Sequence, residues 1–213
     1  MGSSFTHALA GTRLYPITDQ HLSGLSHADQ VAQLSDCGVT LIQLREKVDP
    51  PSKFYAEAEA ALRAARDRGV RLIVNDRVDI ALALRADGVH LGQEDLAPEA
   101  ARRILGDAAI IGFSTHNLEQ ARLAAQMPVD YVAIGPIFAT ATKRSANPPV
   151  GLTGLARFRQ VLGKIPLVAI GGITSENSGL VLGAGADAVA VISDIWAATL
   201  EAAVKIGRFL DAS

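Results

Sequence analysis

The chain has 213 residues, 49% of them hydrophobic, a formal net charge of −2 and one cysteine. That composition can fill a sizeable core and excludes a disordered chain. The near-neutral balance excludes a global basic field for nucleic acid or a membrane surface, and the lone Cys37 excludes an intrachain disulfide or a cysteine-based metal cluster.

Residues 1–12 are expected to form a flexible N-terminal segment, since chain ends are commonly loose. Met1–Ala8 lacks the charged and apolar regions of a signal peptide, and no apolar run approaches a membrane span. With one cysteine, a reducing cytoplasm is the expected compartment. The first apolar run is Leu14–Ile17, followed by a helical stretch from Ala28 to Cys37 that Gly38 ends. Val39–Ile42 reads as the second strand. Pro50 and Pro51 open a long Ala/Leu/Glu/Arg helix over 53–68. The third strand is Arg71–Val74, then a short helix Val78–Leu84, the fourth strand Gly88–Leu91 and a helix Pro98–Leu105. Ala109–Phe113 is the fifth strand, and Asn117 with Gln120 suits the start of a helix over 118–126. Asp130–Ile134 is the sixth strand, Gly151–Leu162 a helix and Pro166–Ile170 the seventh strand. A helix over 175–182, the strand Ala188–Ile192 and a closing helix over 195–210 finish the chain.

Eight apolar strands alternate with eight helices at a spacing of about 25 residues, the period of a βα unit. The strands are continuously apolar, as when both faces are buried. The expected fold is α/β, a single (β/α)8 TIM barrel over residues 13–213. A doubly wound sheet is the rival, disfavoured because no Gly-rich dinucleotide fingerprint follows the first strand.

A barrel carries its active site where the strands end, and the polar clusters of this chain lie there. They are Gln43, Arg45 and Lys47; Asn75 and Asp76; Gln93 and Asp95; Ser114 and His116; Thr140, Thr142 and Lys143; Gly171 and Gly172; Ile192 and Ser193. Three sub-sites follow. Gly171, Gly172 and Ser193, each followed by a helix start, suit a phosphate nest, although a double glycine also suits a tight turn. Asp76 and Asp95 suit Mg²⁺ shared with substrate phosphates, unless Asp76 pairs with the adjoining Arg77. Arg45, Lys47 and Lys143 suit a diphosphate. A salt bridge of Arg45 or Lys47 with Glu46 is the competing reading, opposed by strand alternation, which turns Glu46 the other way. His90 is expected to pack or hydrogen-bond within its strand. No nucleophile set of Ser, His and Asp is readable.

The ordered pieces Gln43–Lys47, Asn75–Asp76, His90–Asp95, Ser114, Gly135–Lys143, Val150–Leu152, Ala169–Gly172 and Val191–Ser193 resemble the thiamine phosphate synthase family. The resemblance implies a Mg²⁺-dependent transferase that joins hydroxymethylpyrimidine diphosphate to thiazole phosphate and releases diphosphate. It implies that Gln43, Arg45, Lys47 and Asn75 hold the pyrimidine diphosphate and that Asp76 and Asp95 hold Mg²⁺. Ser114 and Lys143 would also contact the diphosphate or pyrimidine, Thr140 and Thr142 the thiazole, and Gly172, Ile192 and Ser193 its phosphate. Arg45, Lys47, Lys143 and Ser114 are the expected catalytic set. The expected partners are these small molecules, with no nucleic acid and no membrane; a homo-oligomer is left open. Two alternatives stand beside this: a thiazole tautomerase of the same superfamily, for which His116 is the residue to watch, and a non-catalytic sensor of phosphate ligands.

Overall fold

A computed structural model of the protein describes residues 4–9, 11–140, 148–197 and 202–211. The chain begins with α1 (Ser4–Ala8), β1 (Leu14–Pro16), α2 (Gln20–Ser23), α3 (His27–Asp36), β2 (Leu41–Leu44) and α4 (Pro51–Asp67). It continues through β3 (Arg71–Asn75), α5 (Val78–Leu84), β4 (Gly88–Leu91), α6 (Pro98–Leu105), β5 (Ile110–Thr115) and α7 (Leu118–Ala124). The last third holds β6 (Tyr131–Ile134), α8 (Gly151–Leu162), β7 (Leu167–Ile170), α9 (Ser178–Gly183), β8 (Ala188–Val191), α10 (Ser193–Trp196) and α11 (Ala202–Asp211).

The eight strands pair in parallel in the order β1-β8-β7-β6-β5-β4-β3-β2. The remaining seam, β1 to β2, is joined by the bridge Ile17–Gln43 and by the Thr18 N–H on the Gln43 carbonyl at 2.9 Å. From outside, the Trp196 indole N–H donates to the Ile17 carbonyl at 2.8 Å, so α10 is tied to the same seam. The fold is a (β/α)8 barrel.

Alternation along each strand divides the core in two. Leu14, Ile42, Leu44, Leu72, Val74, Val89, Leu91, Val132 and Ile134 point outward and pack with the helices. Tyr15, Leu41, Ile73, Ile110, Tyr131, Ala133, Val168, Ala188 and Ala190 point inward and fill the barrel. Both sets are buried, which is why the strands read as unbroken apolar runs. Gly112 makes the interior arrangement feasible: a Cβ there would lie 2.0 Å from the Tyr131 ring.

Four expectations change. Residues 4–9 are not a loose tail: Phe5, Ala8 and Leu9 are buried, and Phe5 stacks on the Tyr131 ring at 4.1 Å inside the barrel. The apolar surface these residues remove from water offsets the entropy of ordering the end of the chain. The second strand runs two residues later than Val39–Ile42, so Gln43 lies within it. The seventh helix begins at Ser178 because Asn177 uses its side-chain oxygen to accept the Thr174 N–H, forming a turn first. The closing helix is two helices, α10 and α11.

Candidate active site

The C-terminal ends of the strands open into a cavity of about 740 Å³. Gln43, Arg45, Lys47, Asn75, Asp76, Asp95, Ser114, Thr140, Gly172, Ile192 and Ser193 all line it. Thr142 and Lys143, expected at the same place, lie outside the described residues.

The loop after β2 carries the cations. Glu46 shapes it: one carboxylate oxygen accepts the N–H groups of Lys47 (2.7 Å), Val48 (2.6 Å) and Asp49 (3.1 Å). Burial alone would push this carboxyl up, but the three N–H groups together hold it below its ordinary value. Glu46 is therefore occupied, and the competing salt bridge to Arg45 or Lys47 does not form. Arg45 instead pairs with Asp19 at 2.7 Å, a partner the sequence reading did not single out. Lys47, half-exposed, pairs with Asp76.

Asp76 sits just past β3 with φ 62, a left-handed conformation that non-glycine residues rarely adopt. Its N–H is bonded to the His90 carbonyl at 2.8 Å, which fixes the turn. The adjoining Arg77 pairs with Asp79 at 2.8 Å, not with Asp76. Asp95 accepts the Gly92 N–H at 2.7 Å. Burial raises the Asp95 carboxyl above its ordinary value; the Gly92 N–H lowers it, and the Asp76 carboxylate beside it raises it again. Two like charges thus face each other with oxygen donors only, the donor chemistry that suits Mg²⁺. Among the described residues no group of three or more His, Cys, Asp or Glu could hold a metal, so any ion here shares its shell with ligand or water.

The other side of the rim is built from backbone. Gly171 and Gly172 have φ 100 and φ 66. A Cβ on Gly171 would lie 2.6 Å from the Pro136 side chain, and one on Gly172 would lie 2.7 Å from the Ala139 carbonyl oxygen. The chain after β6, which includes the cis Gly135–Pro136 bond, lies against this turn through Ile137 N–H to Ile170 O (2.9 Å) and Phe138 N–H to Gly171 O (3.0 Å). Both glycines are thus required by close backbone approach as well as by the turn.

The floor is a line of polar side chains that the sequence reading left unconnected. Gln43 Nε2 donates to the Tyr15 hydroxyl at 3.2 Å, and the Tyr15 and Tyr131 hydroxyls are 3.0 Å apart. The Tyr131 hydroxyl is 2.9 Å from His90 Nδ1, and His90 Nε2 is 2.8 Å from Ser114 Oγ. His90 hydrogen-bonds within the barrel, as expected. The inward parity of Tyr15, Gln43, His90 and Tyr131 along their strands was the signal that could have joined them. His116 lines the cavity, with Nδ1 2.8 Å from the Gly135 carbonyl.

This is the rim of a barrel enzyme for anionic small molecules. The family described as thiamine monophosphate synthase matches residues 14–195. A thiamine-phosphate synthase of Albidiferax ferrireducens is 45% identical, covering 96% of this chain and 94% of its own. One of Syntrophomonas wolfei is 46% identical over 87% of this chain and 89% of its own. The solved thiamine phosphate pyrophosphorylase of Pyrococcus furiosus superposes with a TM-score of 0.84 at 36% identity, covering 94% of each chain. The chain belongs to the thiamine monophosphate synthase family. No helix among the described residues is long and apolar enough to cross a membrane.

Proposed function

We infer that this chain is a transferase with the thiamine-phosphate synthase activity: it condenses hydroxymethylpyrimidine diphosphate with a thiazole phosphate, giving thiamine phosphate and diphosphate. The observation that carries this is the meeting, in one cavity, of Arg45, Lys47, Asp76 and Asp95 above the Gln43–Ser114 floor. A tautomerase or a sensor has no need of such a diphosphate rim, and the relatives' names favour neither.

The bond to break joins the pyrimidine methylene carbon to the diphosphate oxygen. Its electron pair leaves with the diphosphate, and the thiazole nitrogen lends its lone pair to the same carbon. No proton has to be removed, so a general base is not required. The requirement is neutralisation of the leaving group. A unit charge 4 Å away is worth about 4 kcal/mol at an effective dielectric of ~20, and such preorganised charge is commonly the largest contribution to catalysis. Arg45 and Lys47 supply it, with Lys143 joining them. Arg45 is held by Asp19, so its guanidinium stays in place before substrate arrives. Asp76 and Asp95 would hold Mg²⁺, which when bound adds Lewis-acid neutralisation of diphosphate oxygens.

Gln43, Asn75 and Ser114 hold the pyrimidine. Thr140 and Thr142 contact the thiazole, and Gly172, Ile192 and Ser193 its phosphate. A reducing cytoplasm, suited to a chain with one cysteine, is the compartment this reading favours. The test mixes the purified protein with both substrates and Mg²⁺ and measures thiamine phosphate, with EDTA as control. Product that disappears with EDTA is expected. No product from a folded protein that still binds thiazole phosphate would return the tautomerase or sensor to favour.

A further inference from the structure

The phosphate side of the rim is held from behind by residues that do not line the cavity. Asn177 grips the glycine turn: its side-chain nitrogen donates to the Gly172 carbonyl at 3.1 Å, and its side-chain oxygen accepts the Thr174 N–H at 2.9 Å. Asp194, the residue after Ser193, accepts the Ser175 N–H at 3.2 Å on one carboxylate oxygen. The loop after β7 is thereby tied to α10, and both Gly172 and Ser193 face the cavity. The tie has an electrostatic drawback. It sets a full negative charge one residue from Ser193, beside the place read above as a phosphate site, and like charges repel most strongly where little water separates them. The Asp194 side chain is only 14% exposed, so solvent and salt screen it poorly.

The other Asp194 oxygen accepts a hydrogen bond from Lys205 Nζ at 3.1 Å. Lys205 stands on α11, beyond the residues 14–195 that match the family. It is buried, and a lysine is almost never buried without an acidic partner. A second acid, Glu176, lies 3.9 Å from Lys205, but it is exposed and also faces Arg208 at 3.8 Å. Glu176 therefore has another cation, whereas among the described residues the ion pair of Asp194 is with Lys205. We infer that Lys205 is the counter-ion of Asp194 and a positioning residue of the thiazole phosphate subsite: the last helix cancels the charge that the tie brings there, so that the incoming anion meets N–H groups and a hydroxyl without a facing carboxylate. This rests on the reading that Gly172, Ile192 and Ser193 take that phosphate, and it adds what the end of the chain does for it. The effect is specific for one substrate, because Arg45, Lys47, Asp76 and Asp95 belong to the opposite side of the rim, from β2 to β4.

The test measures KM for thiazole phosphate and for the pyrimidine diphosphate in wild type, Lys205→Met, Asp194→Asn, the double variant and Lys205→Arg, with thermal melts to report folding. Lys205→Met leaves the carboxylate uncompensated and should raise KM for thiazole phosphate several-fold. Asp194→Asn keeps an oxygen for the Ser175 N–H and frees the lysine charge, so it should lower the same KM. The double variant is again neutral at the pair and should return to the wild-type value, as should Lys205→Arg, which keeps the charge. KM for the pyrimidine diphosphate should stay within about twofold throughout, since water across the cavity screens the change, and kcat should change little. A merely structural role would move both single variants in the same direction. Should Lys205→Met fail to fold, Asp194→Asn and the double variant carry the test, because a neutral pair of similar volume is commonly tolerated where a lone buried charge is not. A raised KM in Asp194→Asn, a double variant no better than Lys205→Met, or equal shifts for both substrates would overturn the inference. A folded wild type that makes no thiamine phosphate would remove the underlying functional reading; a working wild type with any of the overturning patterns removes only the counter-ion.

Discussion

The two sides of the rim are made of different material. From β2 to β5 it is side chain: Arg45, Lys47, Asn75, Asp76, Asp95 and Ser114 converge through ion pairs and capped turns. From β6 to β8 it is largely main chain: a cis Gly–Pro bond, two left-handed glycines and the start of α10. Side chains can be exchanged for one another at modest structural cost, and they carry the charge that bond breaking needs. Main chain in close contact cannot give way. Substitutions on the first side should therefore alter turnover, and substitutions on the second should alter the structure itself.

The sharpest way to break this comparison is Arg45→Ala. Turnover is expected to fall by about two powers of ten, as when a preorganised charge partner of a transition state is lost, with the barrel still folded by circular dichroism. Near wild-type kcat would remove Arg45 from the catalytic set. Gly172→Ala comes next. The added Cβ meets the Ala139 carbonyl oxygen at 2.7 Å in a left-handed backbone, so a loss of about 1–3 kcal/mol in denaturant melts is expected, with a raised KM for thiazole phosphate. Unchanged stability would show that the main-chain side can give way after all.

Acid separates two groups under the charged loop. His27 is buried, neither ring nitrogen has a hydrogen-bond partner among the described residues although Glu46 Oε2 lies 4.0 Å from Nε2, and burial holds its pKa below 6.5 against the pull of Glu46, Glu57, Asp19 and Asp49. The unfolded chain then binds the proton first, so stability is lost as pH falls from 6.5 toward the folded value. Glu46 is held below 4.5; its contribution is present above 4.5 and is lost as pH falls through the folded value. Glu46→Gln should flatten the stability curve below 4.5 and, by removing a carboxylate that pulls the His27 pKa upward, steepen the loss in the higher window; His27→Leu should flatten the higher window. A single common midpoint lost in both variants would contradict the assignment. The smallest effect is His27→Leu at neutral pH: removing an unsatisfied buried polar group should add about 1 kcal/mol in a thermal melt.

The barrel was legible because parallel strands covered on both faces leave uninterrupted apolar runs, and helix punctuation by Gly38, Pro51 and Asn117 is local chemistry. The missing salt bridge of Glu46 to Arg45 or Lys47 has a different cause from the strand alternation expected of it: β2 ends at Leu44, and the N–H groups of the loop hold the Glu46 carboxylate. What escaped has long range in sequence. Asp19 meets Arg45 across 26 residues, and nothing near either names the other. The floor joins Tyr15 to Tyr131 across 116 residues. Helix α1 has only five residues and almost no helical signal of its own; it is ordered by the aromatic hole it fills. The second strand runs past the end of its apolar run because Gln43 is an interior residue with a tyrosine hydroxyl to meet it.

Phe5 has one more consequence. Phe5, Ala8 and Leu9 are buried among the inward-facing residues of the barrel, and the Phe5 ring lies against the ring of Tyr131, whose hydroxyl belongs to the cavity floor. The first turn of the chain is therefore a prop: trimming it would leave the tyrosines unsupported from below, and a change at one end of the barrel would be felt at the other.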